Sequence, residues 1–207
     1  MSGRLQRLLM LAAIAVALTG CATSAPVPED RFYDIEVPAP AARSRTVLRG
    51  GLLVERLQAD ALRAGRAILY RDIRRPLELN RYHYRFWSQQ PHRLIQQRLA
   101  DYLRIAGVAD HVYTGEEALP HRYRLTGRLL AFDRQVGDGR AGMKVALQFT
   151  LGRHGGTQPL LEKTYRAEVP AEGDDMHASA LAARQALAGI FHTLAEDLAG
   201  LALVSGP

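Results

Sequence analysis

Apolar and polar residues alternate most regularly in the C-terminal half of the chain, where residues 143–151 read MKVALQFTL. Because successive side chains of a strand point to opposite faces, this pattern predicts a strand with one buried face. An Asp-Gly pair at 138–139 precedes the segment and a Gly-Gly pair at 155–156 follows it, and both pairs tolerate the positive φ angles of hairpin turns. Residues 123–133 and 160–169 are therefore predicted to pair with it in a three-stranded meander.

Two other segments carry apolar residues at the spacing of a helix. The first begins at Pro91, which suits the first turn of a helix, and is expected to end at Gly107. The second begins at Asp174 and Asp175, whose carboxylates can cap a helix and favour the positive end of its dipole. The apolar stripes are Leu94, Ile95, Leu99, Tyr102 and Leu103 in the first helix and Leu187, Ile190, Phe191, Leu194, Leu198 and Leu201 in the second.

The N-terminal part of the domain is predicted to be mostly extended. Residues 46–57, 66–73 and 77–87 indicate strands, and a shorter extended segment at residues 32–40 is stopped by prolines. A sheet with an apolar face needs a cover, which the two helices supply. We therefore expect an α+β fold: a single domain with a mixed or antiparallel sheet, a C-terminal three-stranded meander and two main helices over the sheet.

The first twenty residues have a different pattern, that of an export signal. Arg4 and Arg7 precede an unbroken apolar run of eleven residues, 8–18. This run is too short to cross about 30 Å of hydrocarbon as a helix, but it fits the apolar region of a secretory signal peptide. The order Leu-Thr-Gly-Cys at residues 18–21 resembles the bacterial lipobox, in which a diacylglycerol is attached to the cysteine sulfur.

We therefore expect residues 1–20 to be a lipoprotein signal peptide and Cys21 to be lipidated. The alternative is an ordinary signal peptide that contains a cysteine. Residues 21–30 then form the acylated cysteine and a flexible tether, and residues 31–203 form the folded domain. In bacterial lipoproteins an aspartate after the cysteine favours inner-membrane retention; this chain has Ala22, so the resemblance implies the outer membrane, with the domain facing the periplasm.

Composition changes this picture little. The formal net charge is +6, and 25 of the 27 basic residues are arginine. A basic excess can indicate nucleic-acid binding, but an exported protein meets no genome, and we expect no nucleic-acid partner. The charge is either spread over solvated faces or attracts anionic lipid head groups or an acidic partner.

The sequence contains no recognisable catalytic constellation. Cys21 is the only cysteine, so the chain can form neither an internal disulfide nor a thiolate metal site. No two of the seven histidines lie four apart on a predicted helix, and we interpret them as isolated surface residues. No serine lies in a GxSxG motif, and the glycines of residues 136–142 belong to a hairpin rather than to a phosphate-binding loop. We therefore expect no catalytic residue, no metal site and no cofactor.

Four aromatic residues within residues 82–87 allow two interpretations. In the first, Tyr82, Tyr84 and Phe86 line one face of a strand and enter the core. In the second, some of the cluster forms an exposed surface for a partner, since aromatic residues are enriched in binding hot spots. Tyr84 and Trp87 are the candidate partner-binding residues.

The chain resembles the ABC-type transport auxiliary lipoproteins, the PqiC-like family. The resemblance is carried by Phe32-Tyr33-Asp34-Ile35 with the prolines that follow, by the cluster at residues 82–87, and by the helix that begins at Pro91. Ile35 departs from the leucine that is more common in the family. The resemblance implies a non-enzymatic lipoprotein that serves lipid or organic-solvent transport. Its implied partners are a periplasmic MCE-domain protein and an inner-membrane ABC transporter.

Two other functional classes stay open at this point. One is an assembly or pilot lipoprotein of another envelope machine, and the other is an anchored envelope hydrolase. The sequence does not decide the transported substrate, the docking surface, the MCE or ABC system served, or whether the protein forms a homo-oligomer.

Overall fold

The computed structural model describes residues 28–42, 46–115 and 120–204, together with Gly3. The predicted apolar run, Cys21 and most of the tether lie outside the described residues. In chain order the elements are β1 (Arg31–Tyr33), β2 (Leu48–Val54), β3 (Gln58–Ala59), β4 (Ala67–Asp72), β5 (Asn80–Trp87), α1 (Pro91–Ile105), β6 (Ala109–Thr114), β7 (Tyr123–Gly137), β8 (Arg140–Arg153), β9 (Pro159–Pro170) and α2 (Met176–Val204). The predicted α+β fold is confirmed.

The long strand β7 organises the nine-stranded sheet. Along one edge it pairs antiparallel with β8, which pairs antiparallel with β9, so the predicted meander is confirmed. Along its other edge it pairs in parallel with β2, β3 and β4 in succession. Beyond these short strands, β6 pairs in parallel with β2, while β5 pairs antiparallel with β4 and carries β1 at its side. The sheet is therefore mixed.

Both helices cover the same face of the sheet. In β8, Met143, Val145, Leu147, Phe149 and Leu151 are each at most 1% exposed and face this layer. The two helices meet where the rings of Tyr102 and Phe191 pack edge to face, with centroids 5.6 Å apart. No helix among the described residues combines the length and the apolar character needed to span a bilayer.

The predicted helix ends and hairpin turn have the expected geometry. Asp175 Oδ1 accepts a hydrogen bond from the backbone N–H of Ala178 at 2.7 Å, which caps α2. Gly107, just beyond α1, has a φ of 65°, a left-handed conformation that glycine adopts without steric cost. Asp138 and Gly139 turn the β7–β8 hairpin with φ angles of 51° and 68°.

Two neighbouring residues of β7 bury opposite charges on opposite faces of the sheet. On the uncovered side Asp133 is 1% exposed and accepts hydrogen bonds from Arg63 and Arg71, with N–O distances of 3.2 and 3.1 Å. On the helix side Arg134 is 7% exposed and donates to the hydroxyls of Ser179 and Tyr82 and to the carbonyl of Asp174. Asp133 therefore holds the chain between β3 and β4 against the sheet, and Arg134 holds the start of α2.

Candidate docking surface

Strand β1 places its aromatic residues in register with the aromatic cluster of β5. Phe32 is the partner of Phe86 and Tyr33 is the partner of Trp87 across the two parallel strands. Partners in register point to the same face of a sheet. Tyr33 and Trp87 therefore turn to the core, whereas Phe32 and Phe86 turn to the other face.

The structure corrects the expectation for Trp87. This residue is 1% exposed and its ring packs on Phe132 with centroids 4.9 Å apart, so Trp87 belongs to the core and is no exposed docking residue. The cause is an irregular register: Leu69 of β4 lies opposite Arg81, but Ala67 lies opposite Phe86. The extra residues in β5 change which face each following side chain occupies.

The residues that remain on the outside form what we call the β1–β5 corner: Phe32, Arg66, Tyr84 and Phe86. Phe32 is 55% exposed and stacks on Phe86 with ring centroids 5.6 Å apart. The guanidinium carbon of Arg66 lies 5.0 Å from the centroid of the Phe32 ring, in cation–π geometry. Tyr84 is 43% exposed, and its role as a partner-binding residue stays a prediction.

A cleft of about 390 Å³ adjoins this corner. Its walls combine the first described residues of the chain with the first half of β5. They carry both charge signs beside two tyrosine rings, which suits a mixed polar and aromatic contact better than a deep apolar ligand pocket. The lining residues are Pro28, Glu29, Arg31, Tyr82, His83, Tyr84 and Arg85.

A polar clamp immediately after β1 holds the corner in place. The carboxylate of Asp34 accepts hydrogen bonds from the Ile35 backbone N–H, the Ser88 hydroxyl and the Arg98 guanidinium, at 2.8, 2.9 and 3.1 Å. Arg98 also donates to the Ile35 carbonyl oxygen at 2.8 Å, and the Ile35 side chain is 1% exposed in the core. Burial raises the pKa of Asp34, but the hydrogen bonds from Ile35, Ser88 and Arg98 outweigh it, so the pKa lies below its ordinary value.

This clamp gives the Phe-Tyr-Asp-Ile motif a physical meaning. Phe32 is presented outward, Tyr33 packs against the core, Asp34 binds α1 through Arg98, and Ile35 fills the core. Sequence reasoning quoted the motif but did not identify Phe32 or Arg66 as surface candidates. The motif itself could have identified Phe32. No sequence feature identifies Arg66, because only the folded chain brings its guanidinium over the Phe32 ring.

The histidines do not assemble into a metal site in the part of the chain that the structure describes, where no group of three or more His, Cys, Asp or Glu residues could hold an ion. The interpretation of all seven as surface residues is wrong for His92, which is only 9% exposed at the start of α1. Burial lowers the pKa of His92, and the charges of Arg93 and Arg56 lower it further. His92 is therefore biased toward the neutral form.

The α+β fold and the Phe-Tyr-Asp-Ile motif agree with the family resemblance drawn from the sequence. The model of the ABC-type transport auxiliary lipoprotein component family matches residues 33–195, and the chain belongs to that family. The resemblance drawn from the sequence is thereby confirmed. No curated protein sequence matches the chain.

Solved structures share the architecture at low sequence identity. Protein XCC0632 from Xanthomonas campestris, assigned to family DUF330, aligns with a TM-score of 0.75 and 19% identity over 84% of this chain and 97% of its own. An uncharacterized protein aligns at 0.64 and 14% identity over 83% and 99% of the two chains. The hypothetical protein CT253 from Chlamydia trachomatis aligns at 0.53 and 7% identity, over 76% and 99%. These likenesses concern the fold alone.

Proposed function

We propose that the protein is a non-enzymatic outer-membrane lipoprotein that assists an ABC transporter and its periplasmic MCE-domain protein in moving lipid or organic solvent across the envelope. The observation that carries the proposal is the family match, which extends from Tyr33, the second residue of the Phe-Tyr-Asp-Ile motif, to residue 195 in α2. An auxiliary component acts by holding other components, and the β1–β5 corner is a surface suited to that task.

The anchor in this proposal is Cys21. Burial of acyl chains contributes about 0.8 kcal/mol for each CH₂ group, so a single chain binds reversibly and two or three chains bind durably. Six residues separate Cys21 from Pro28, which lines the cleft beside Tyr84. The domain would thus stay close to the membrane while the corner remains available to a periplasmic partner.

The corner has the composition of a binding hot spot. Phe32 and Tyr84 supply exposed rings, and Arg66 supplies a cation that a partner carboxylate could approach. Because the Asp34 clamp orders the backbone beside Phe32, binding would cost little additional ordering of this segment. We propose that the MCE-domain protein contacts this corner.

Capture from detergent-solubilised membranes tests the docking proposal. The tagged wild-type lipoprotein should retain the MCE-domain protein and the ABC transporter, identified by mass spectrometry. The double variant Phe32→Ala/Tyr84→Ala should bind these components at least about tenfold more weakly, which corresponds to about 1.4 kcal/mol of binding free energy. Leu181→Ala is a matched control, because Leu181 is similarly exposed, at 48%, on α2.

Thermal unfolding of the same variants separates lost binding from lost folding. Full capture by a well-folded double variant would reject the corner as the docking surface. Failure of the wild-type protein to retain any transport component would reject the transport partnership itself.

Metabolic labelling with a clickable fatty acid tests the anchor. The wild-type protein should incorporate the label, and Cys21→Ser should not. Equal labelling of both proteins would refute lipidation at Cys21.

A further inference from the structure

One end of the sheet lies closest to the start of the described chain. Since β1 runs parallel to β5 with Arg31 opposite Arg85, the residues before β1 follow β5 back toward its beginning. Pro28 and Glu29 accordingly line the cleft with Tyr82 and His83. Immediately before β5 comes the loop of residues 73–79, which joins β4 to β5. Residues 28–30 therefore run toward this loop.

The β4–β5 loop carries two exposed apolar side chains. Leu77 is 96% exposed in the loop itself. Ile73 is 48% exposed at the start of the loop, where its backbone N–H donates to the Val136 carbonyl oxygen of β7 and its side chain lies against Gly137. Single exposed apolar residues are common on protein surfaces, but two in one loop, near the residues that lead to the proposed anchor, form a more specific arrangement. Arg74 and Arg75 lie between them in the chain, and their side chains are 69% and 71% exposed.

The loop holds this arrangement through its own polar contacts. Asp72 binds the side chain of Arg74 through both carboxylate oxygens, at 3.0 and 2.8 Å. The hydrogen bonds from Arg74 lower the pKa of Asp72 to about 2, so the carboxylate remains ionised near neutral pH. Arg71 donates to the Pro76 carbonyl oxygen at 2.8 Å, directly before Leu77 in the chain. These contacts hold the loop residues that precede Leu77.

We propose that the β4–β5 loop contacts the same phospholipid surface in which Cys21 is anchored, with Leu77 and Ile73 entering the boundary between head groups and acyl chains. Arg74 and Arg75 then lie at the level of the lipid phosphates. Apolar side chains flanked by cations are the combination that interfacial membrane contacts use. This inference rests on the lipidated anchor of the proposed function.

Tether length is compatible with this contact. The seven residue-to-residue steps from Cys21 to Pro28 span at most about 25 Å when the chain is extended. The β8–β9 turn at residues 154–158 marks the opposite end of the sheet, because Arg153 at the end of β8 pairs with Tyr123 at the start of β7. The loop contact would therefore give the domain one orientation, with that turn directed away from the membrane.

Depth-dependent fluorescence quenching tests the orientation. Acylation consumes the thiol of Cys21, so Leu77→Cys introduces a single free thiol that can carry an environment-sensitive probe. The mature lipoprotein is reconstituted in vesicles of phosphatidylethanolamine and phosphatidylglycerol that contain spin-labelled lipid. The probe at position 77 should shift to the blue and lose most of its emission. A probe at Thr157→Cys, an exposed position at the opposite end, should do neither.

A second variant excludes insertion driven by the probe itself. With the probe at Ile73→Cys, the additional change Leu77→Asp should reduce quenching, and Leu77→Met should not. Vesicle flotation of the wild-type protein reports the anchor separately, and its failure would overturn both the lipidated anchor and this proposal. If the protein floats with the vesicles but the probes at positions 77 and 157 are quenched equally, whether strongly or not at all, the loop contact alone would be overturned.

Discussion

The two edges of β7 are joined to the rest of the domain in different ways. On one edge β8 pairs along the full length of the strand, through a hairpin whose turn is only Asp138 and Gly139. On the other edge three short strands pair with successive parts of β7, and each of them is far from β7 in the chain. The first edge belongs to the meander under α2, and the second carries the β1–β5 corner and the β4–β5 loop.

The difference lies in what stabilises each edge. The meander is covered by α2, and the inward side chains of its central strand β8 are apolar and at most 1% exposed. The short strands depend in addition on charged contacts, of which Asp133 with Arg63 and Arg71 is the most buried. Damage to the meander should therefore unfold the whole domain, whereas damage to the charged contacts should first loosen the surfaces assigned to docking.

Removal of a large side chain under α2 should have the greatest effect. Phe149 is 1% exposed, faces Gly127 across the strands and packs near Tyr165. Phe149→Ala should lower the free energy of unfolding by about 3–5 kcal/mol, because it removes buried surface and leaves a cavity. Denaturant titration measures this loss. A loss below about 1 kcal/mol would contradict the packing described for the meander.

Removal of the buried carboxylate on the other edge should have the next largest effect. Asp133→Ala leaves two partly buried guanidinium groups without their shared partner and should cost about 3 kcal/mol. Hydrogen exchange should accelerate in β4 and the preceding loop before it does in β8. Asp60→Ala is the control, since Asp60 is exposed and binds only Arg63 of this pair; it should cost about 1 kcal/mol or less. If hydrogen exchange accelerated equally in all strands of the sheet, the Asp133 contacts would not stabilise this edge separately from the meander.

The contact between β9 and α2 should make a smaller, pH-dependent contribution. Burial raises the pKa of Asp197, but hydrogen bonds from Lys163 and Tyr165 outweigh it, so the pKa lies below its ordinary value of 3.8. A depressed folded-state pKa stabilises the fold above the unfolded-state pKa, and this contribution is lost as the pH falls through the folded-state value.

Asp197→Asn should therefore cost about 1 kcal/mol or less near neutral pH, because the pair is partly exposed. The variant should also lose less stability than the wild type when the pH is lowered below about 4. Thermal unfolding across this pH range measures both effects. Parallel pH profiles for the two proteins would exclude a role for the Asp197 carboxylate.

The smallest effect is expected on the uncovered face of the meander. Lys144 pairs with Glu168 on the neighbouring strand at 2.6 Å, and both side chains are exposed. Lys144→Ala should change the free energy of unfolding by only about 0.5 kcal/mol, since exposed ion pairs contribute little. A loss as large as that of Phe149→Ala in the same denaturant titration would mean that the two residues do not lie on opposite faces.

Several features of the fold could be predicted because their causes are local. The alternation in residues 143–151 and the turn residues beside it specify a meander, in which every pairing joins consecutive strands. The caps at Asp175 and Gly107 follow from backbone geometry at single positions. In β9 the charged Lys163 alternates with Leu161 and Tyr165 on one face, and only the fold explains it, because Asp197 of α2 lies against it.

The candidate site could be predicted only in part from the sequence. The Phe-Tyr-Asp-Ile motif and the aromatic cluster at residues 82–87 indicated the region in which the proposed β1–β5 corner lies. The face of each aromatic residue depends on the irregular pairing of β4 with β5, which moves Trp87 into the core. A change of one residue in register reverses the faces of a strand, and the sequence of that strand alone does not report it.

Taken by itself, the sequence determined the two helices and the meander, because each depends on residues that are neighbours in the chain. The export signal and the lipidation of Cys21 rest on neighbouring residues in the same way and stay predictions. Strand β6 and the parallel pairing of β2, β3 and β4 with β7 became visible only in the tertiary structure. The burial of Asp133 and the exposure of Phe32 followed from those pairings. The physical reason is that these features depend on contacts between residues tens of positions apart, whose formation is decided by the packing of the whole sheet.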